Sequence, residues 1–235
     1  MSEVSDIVFL LDCDNTLLDN DRVQEDLRAH MEQQFGAASA ARYWQLFEQL
    51  RIELGYADYL GALQRYRDQA VCDMGLLRMS SFLLDYPFSE RLYPRALEAI
   101  ARLDKFGTSV MLSDGDVVFQ PHKIERAGLW QALGGRVLIY IHKERMLADV
   151  ARRYPARHYV FVDDKPHLLD AIKRQWGARV TTVFPRQGRY ALAPHDAALL
   201  KPDITIGAIG ELVDLELANL RERARAAPTI RSNAS

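Results

Sequence analysis

Five short runs of the chain are almost wholly apolar: residues 7–11, 109–112, 137–141, 159–162 and 180–184. Within each run hydrophobicity is nearly continuous rather than alternating, the pattern of parallel strands covered on both faces. Residues 204–206 are a shorter sixth candidate. Helical patterns separate most of these runs. Ala96, Leu97, Ala99, Ile100 and Leu103 precede Gly107, a plausible helix stop. Met146, Leu147, Val150 and Ala151 precede the fourth run, and Leu168, Leu169, Ala171 and Ile172 precede Gly177. Strand alternating with helix predicts an α/β, Rossmann-like, doubly wound parallel sheet.

One region breaks the rhythm. Between Asp19 and about Tyr86 no strand pattern occurs. Val23, Leu27, Met31 and Phe35 share a helical face that ends at Gly36; Tyr43, Phe47, Leu50 and Leu54 share another that ends at Gly55. Tyr59, Leu63, Tyr66 and Ala70 make a third, and residues 74–84 a fourth. The segment is too long for a single crossover, so it reads as an all-helical insertion. The expected division is a core of residues 1–18 and 90–220, a helical domain of residues 19–89, and a loose, polar tail of residues 221–235.

Bulk properties narrow the function. The 235 residues are 49% hydrophobic and 26% charged, ordinary for a globular chain with a sizeable core. A formal net charge of -2 gives no case for a nucleic-acid or membrane partner. Cys13 and Cys72 cannot build a disulfide framework, no apolar run is long enough for a bilayer, and the first residues lack a basic leader. A cytoplasmic location is the default expectation. Monomer and homodimer are equally open.

In open α/β sheets ligands bind beyond the carboxyl ends of the strands. There the first run is followed by Asp12-Cys13-Asp14-Asn15-Thr16, the second by Ser113, and the fourth by Asp163-Asp164. Carboxylates gathered on one edge repel unless they share a cation or proton. Hard oxygen donors of this kind suit Mg²⁺, which favours few carboxylates and a substrate phosphate. A calcium loop starting at Asp12 fails, because the required glycine and closing glutamate positions hold Leu17 and Val23.

This order resembles the haloacid dehalogenase-like superfamily. Asp12-x-Asp14-x-Thr16 is similar to its first motif, Leu112-Ser113-Asp114-Gly115 to its second, and Val162-Asp163-Asp164 to its fourth. Lys143, 21 positions before Asp164, stands where that family places its lysine. The resemblance spans residues 7–184 and implies that the helical insertion is a cap. It implies further that Asp12 attacks phosphorus to give an aspartyl-phosphate. Asp14 would protonate the leaving oxygen and then deprotonate water. Thr16, Ser113 and Lys143 would orient the loop and hold phosphoryl oxygens. Asp12, the main-chain carbonyl of Asp14 and Asp164 would bind Mg²⁺, with Asp163 a direct or outer partner. The expected substrate is a small phosphorylated metabolite. Asp14 favours phosphate esters over dehalogenation, because halide leaves without a proton.

Some positions depart from the family pattern. Glu144 follows Lys143 where proline is usual, and Leu168 replaces a frequently polar residue. Asp114 and Asp116 beside a phosphate site must point away, meet a basic group, or serve only the loop. Lys123, on a helix after the second strand, rivals Lys143 but reads as a packing or surface residue, and Lys165 reads as solvated. His142 and His167 read as packing or surface residues, and Cys13 has no expected role. Arg42, Arg51, Arg65 and Arg67 include candidates for gripping the substrate body. Alternatives are a phosphomutase like beta-phosphoglucomutase, a haloacid dehalogenase, and a non-enzymatic phospho-acceptor domain.

Overall fold

The computed structural model describes residues 4–67, 74–194 and 196–216, with the side chains of residues 74–77 left aside. Six strands, β1 (Ser5–Leu11), β2 (Thr108–Asp114), β3 (Val137–Tyr140), β4 (Ala156–Val162), β5 (Val180–Pro185) and β6 (Ile204–Ile206), form one parallel sheet in the order β3-β2-β1-β4-β5-β6. The expected doubly wound α/β fold is therefore the observed one. β1 lies at the centre, its Leu11 level with Met111 on one side and Val162 on the other. That register carries Asp12 and Asp163 out at the same edge of the sheet. Residues 7–11 of β1 are each 1% exposed or less, which explains why the run is apolar without alternation.

Helices α1 (Asn20–Phe35), α2 (Ala37–Leu54), α3 (Tyr59–Arg67) and α4 (Met74–Asp85) follow β1. Each bears the apolar stripe its sequence predicts; Ala70 of the third stripe and the tail at residues 221–235 lie outside the described residues. Asp19 caps α1 by accepting from the Arg22 amide at 2.9 Å. Gly55 ends α2 in the left-handed region at φ 81°, a conformation glycine adopts without steric cost. The two ends of this helical segment run side by side: the Asp19 amide donates to Arg91 and the Tyr93 amide to Leu17. Its rings continue onto the helices that cover the sheet, with Phe47 tilted against Tyr59 at 4.7 Å and Tyr59 against Phe119 at 5.1 Å.

The remaining helices cover the sheet: α5 (Ala96–Leu103), α6 (Phe119–Arg126), α7 (Leu129–Ala132), α8 (Leu147–Arg153), α9 (Pro166–Trp176) and α10 (Gly188–Leu192). One buried cluster fills the face that α1–α3, α5 and α6 share, and a second lies under α8 and α9. The five residues of α10 are too few to leave a periodic signal in the sequence. No described helix is long and apolar enough to cross a membrane.

Candidate active site

The turn after β1 is built around an unusual backbone. Asn15 has φ 60°, a left-handed conformation that asparagine tolerates better than most residues. Its side chain is held on both ends, donating to Asp21 Oδ1 and accepting from the Asp21 amide, both at 3.1 Å. Gln187 Nε2 reaches across from beyond β5 to the Thr16 carbonyl at 2.7 Å. Thr16 is fully buried, and its hydroxyl meets no partner among the described residues. Gly188 packs against this turn so closely that an added Cβ would lie 2.5 Å from Asn15 Cβ, at a φ of 72°. Gly188→Ala is therefore expected to cost on the order of 2 kcal/mol from the left-handed backbone and the clash. A thermal melt unchanged from the parent would count against that packing.

Four of the predicted groups converge at this edge. Asp12, Asp163 and Asp164 are buried, with one oxygen from each within 4.8 Å of the others. Lys143, on a single turn of 3-10 helix (Lys143–Arg145) after β3, is fully buried. Its ammonium bonds Asp12 Oδ1, lies 2.7 Å from Asp163 Oδ2, and donates to the Leu112 carbonyl at 3.2 Å. Burial opposes that charge, yet Asp12, Asp163 and Asp114 outweigh it and hold the lysine well above its usual value.

Asp164 is different. Both its carboxylate oxygens are buried without a hydrogen-bond partner among the described residues, and Asp12 Oδ2 is in the same condition. Burial, then the charges of Asp163 and Asp12, push the Asp164 carboxyl up to about 9. Orphaned carboxylate oxygens facing one another are what a hard divalent cation neutralises, so the donor set fits Mg²⁺.

Ser113 and Asp14 meet through α6. Gln120 Nε2 donates to Ser113 Oγ at 2.9 Å and lies 3.4 Å from Asp14 Oδ2. Lys123 Nζ lies 2.5 Å from Asp14 Oδ1 and is 1% exposed. A surface role for Lys123 is thus corrected: Phe119, Gln120, Lys123 and Ile124 form the buried face of α6. The i, i+3 placement of Gln120 and Lys123 beside two apolar neighbours was the available signal. Lys165 is corrected as well. It is half-buried, its ammonium 5.6 Å from the Tyr190 ring, and its charge is opposed by burial but raised by Asp12, Asp163 and Asp164.

The two acids after Ser113 have separate tasks. Asp116 Oδ1 accepts from the Val118 and Phe119 amides at 2.8 and 2.6 Å and starts α6. Asp114 Oδ1 accepts from the Lys143 amide at 2.8 Å and so fixes the lysine turn. Cys13 is buried, and burial followed by the Asp14 charge raises its thiol well above the ordinary value, in keeping with no nucleophilic role.

A cavity of about 620 Å³ opens beside these groups. Asp14, Asp114, Lys165 and Leu168 line it from the sheet side; Asn20, Gln24, Arg51 and Tyr56 line it from the helical segment; Arg189 and Tyr190 of α10 also contribute. His142, packed against Gly55, and the exposed His167 line it too. Asp12, Ser113, Lys143, Asp163 and Asp164 are not in its wall but buried at its side. Of the four arginine candidates only Arg51 reaches it. Arg42 bonds Gln45, Arg65 pairs with Glu53, and Arg67 is exposed.

No protein-family profile and no curated protein matches the chain. Solved structures do. A haloacid dehalogenase-like hydrolase from Burkholderia xenovorans LB400 is 61% identical, with a TM-score of 0.86 over 91% of this chain and 98% of that one. L-2-haloacid dehalogenase from Xanthobacter autotrophicus is 19% identical, with a TM-score of 0.58 over 91% and 98%. YfnB from Bacillus subtilis, a HAD-hydrolase bound to magnesium, is 16% identical, with a TM-score of 0.59 over 88% and 96%. The last two share the fold; the first, at its identity and coverage, shows the family. The chain belongs to the haloacid dehalogenase-like hydrolases.

Proposed function

We propose that this hydrolase cleaves small phosphomonoesters with Mg²⁺ through an aspartyl-phosphate on Asp12. The observation that carries the reading is Asp14, a carboxylate in the cavity wall two residues from the nucleophile. An alkoxide leaving group needs a proton and a halide does not, so a held acid at this place favours phosphate-ester chemistry over dehalogenation. Asp12, the Asp14 carbonyl and Asp164 would hold Mg²⁺, whose contribution when bound is to neutralise the cluster and polarise a phosphoryl oxygen. The orphaned oxygens of Asp164 support that assignment, as does the magnesium in the YfnB structure. Asp163, already engaged by Lys143, acts as an outer partner. Ser113 and Lys143 donate to phosphoryl oxygens, and residues 19–89 serve as the cap that shields the ester and supplies Asn20, Gln24, Arg51 and Tyr56 to its body.

The L-2-haloacid dehalogenases that share the fold set the alternative outcome. Purified protein is offered a panel of phosphomonoesters with Mg²⁺ and, separately, 2-haloalkanoic acids. Phosphate release that requires Mg²⁺ is expected. Halide release with no phosphate release would replace this reading with dehalogenation.

A further inference from the structure

We propose that Lys123 and Gln120 are positioning residues that clamp Asp14 and commit its Oδ2 to carrying the transferred proton. The inference rests on the phosphatase reading above. One turn of α6 delivers both side chains to the same carboxylate, each to a different oxygen. Lys123 Nζ lies 2.5 Å from Asp14 Oδ1, while Gln120 Nε2 lies 3.4 Å from Oδ2. The two contacts are unequal. Oδ1 carries a short, charge-assisted bond; Oδ2 carries a long one that a substrate oxygen displaces at small cost.

Lys123 is an expensive residue to keep for packing alone. A lysine 1% exposed has lost its water, and replacing it with an apolar side chain of similar length would remove that cost. Besides Asp14, its ammonium reaches Asn20 Oδ1 at 3.4 Å, and the Phe119 ring lies 6.0 Å away. Asp14 Oδ1 and Asn20 Oδ1 thus both accept from the one ammonium, which fixes it against Asp14. A permanent donor on Oδ1 excludes a proton there, since an acid O–H on that atom would face an N–H. Oδ2, with its single long contact, is therefore the oxygen left free to exchange a proton with the substrate. In the first step the proton moves from Oδ2 to the ester oxygen as the P–O bond breaks and Asp12 bonds phosphorus. In the second, water gives a proton back to Oδ2 as its oxygen takes the phosphoryl group and frees Asp12. Gln120 also donates to Ser113 Oγ at 2.9 Å, tying the clamp to a proposed phosphate-binding hydroxyl.

The test separates proton delivery from folding by changing the leaving group. p-Nitrophenolate departs without a proton; a primary alkoxide does not. Lys123→Met is expected to lower kcat on an alkyl phosphate about 100-fold and on p-nitrophenyl phosphate only a few-fold, the range of general acid catalysis. Added to Asp14→Asn, it should lower alkyl phosphate turnover no further. Gln120→Met, which retains the lysine and is the milder change, should show the same selectivity at smaller size. An equal loss on both esters in both variants, or a loss additive with Asp14→Asn, overturns the clamp while leaving the phosphatase reading intact. Wild-type protein inert on both esters would instead remove that reading and the clamp with it.

Discussion

Asp12→Asn is expected to abolish phosphate release, lowering kcat by at least about 1,000-fold, as loss of a covalent nucleophile does. The change is nearly isosteric, so folding should survive it. Asp12 leaves β1 with its amide still bonded to the Val162 carbonyl at 3.0 Å, an arrangement independent of the side chain. What disappears is the attacking oxygen and one partner of the Lys143 ammonium. Lys143 keeps Asp163 and the Leu112 carbonyl. Quench-flow with a ³²P-labelled ester should trap phosphate on the wild-type protein and none on the variant. Equal phosphate release from both would remove Asp12 from its assigned role.

The second large effect concerns stability. In metal-free protein Asp164 is a buried carboxyl whose two oxygens have no partner among the described residues. Its folded value, about 9, stands above the ordinary 3.8, so between these values the folded state binds a proton that the unfolded chain has released. Stability is linked to that difference and must fall as pH rises through the window. Below 3.8 both states hold the proton and the contribution is fully present; above about 9 it is lost. Mg²⁺ replaces the proton. At 100 times its dissociation constant it adds about 2.7 kcal/mol. For a chain of this size that raises Tm by roughly 5–10 °C. Asp164→Asn should melt above the wild type in EDTA at pH 8 and lose the response to Mg²⁺. Differential scanning calorimetry checks both. A wild-type Tm indifferent to Mg²⁺ would argue that no ion binds between these carboxylates.

The two variants probe different parts of one arrangement. Asp12→Asn tests the covalent chemistry, and Asp164→Asn tests why three carboxylates are buried together. A protein that failed the first and passed the second would bind the ion and release phosphate without Asp12 as the nucleophile.

Much of this site was legible in the chain. The continuous apolar runs match strands buried on both faces, and Asp12, Ser113 and Asp163 each stand at or just beyond the end of one. Parallel register then forces them to one edge, which is why Asp12, Lys143, Asp163 and Asp164 converge as expected. Local pattern also sufficed for α1–α4, because their stripes repeat at helical spacing. Tertiary structure decided what local pattern could not. Lys123 meets Asp14 across 109 positions, and whether a lysine on a helix faces water or a carboxylate depends on which face that helix packs. Lys165 turned inward for the same reason, drawn toward buried carboxylates and the Tyr190 ring. α10 and Gly188, which close on Asn15, left no periodic signature. Sequence determined which groups leave the strand ends, since backbone pairing is set by apolar pattern; only the packed chain decided which charges share a desolvated space, since that depends on contacts between segments with no local trace.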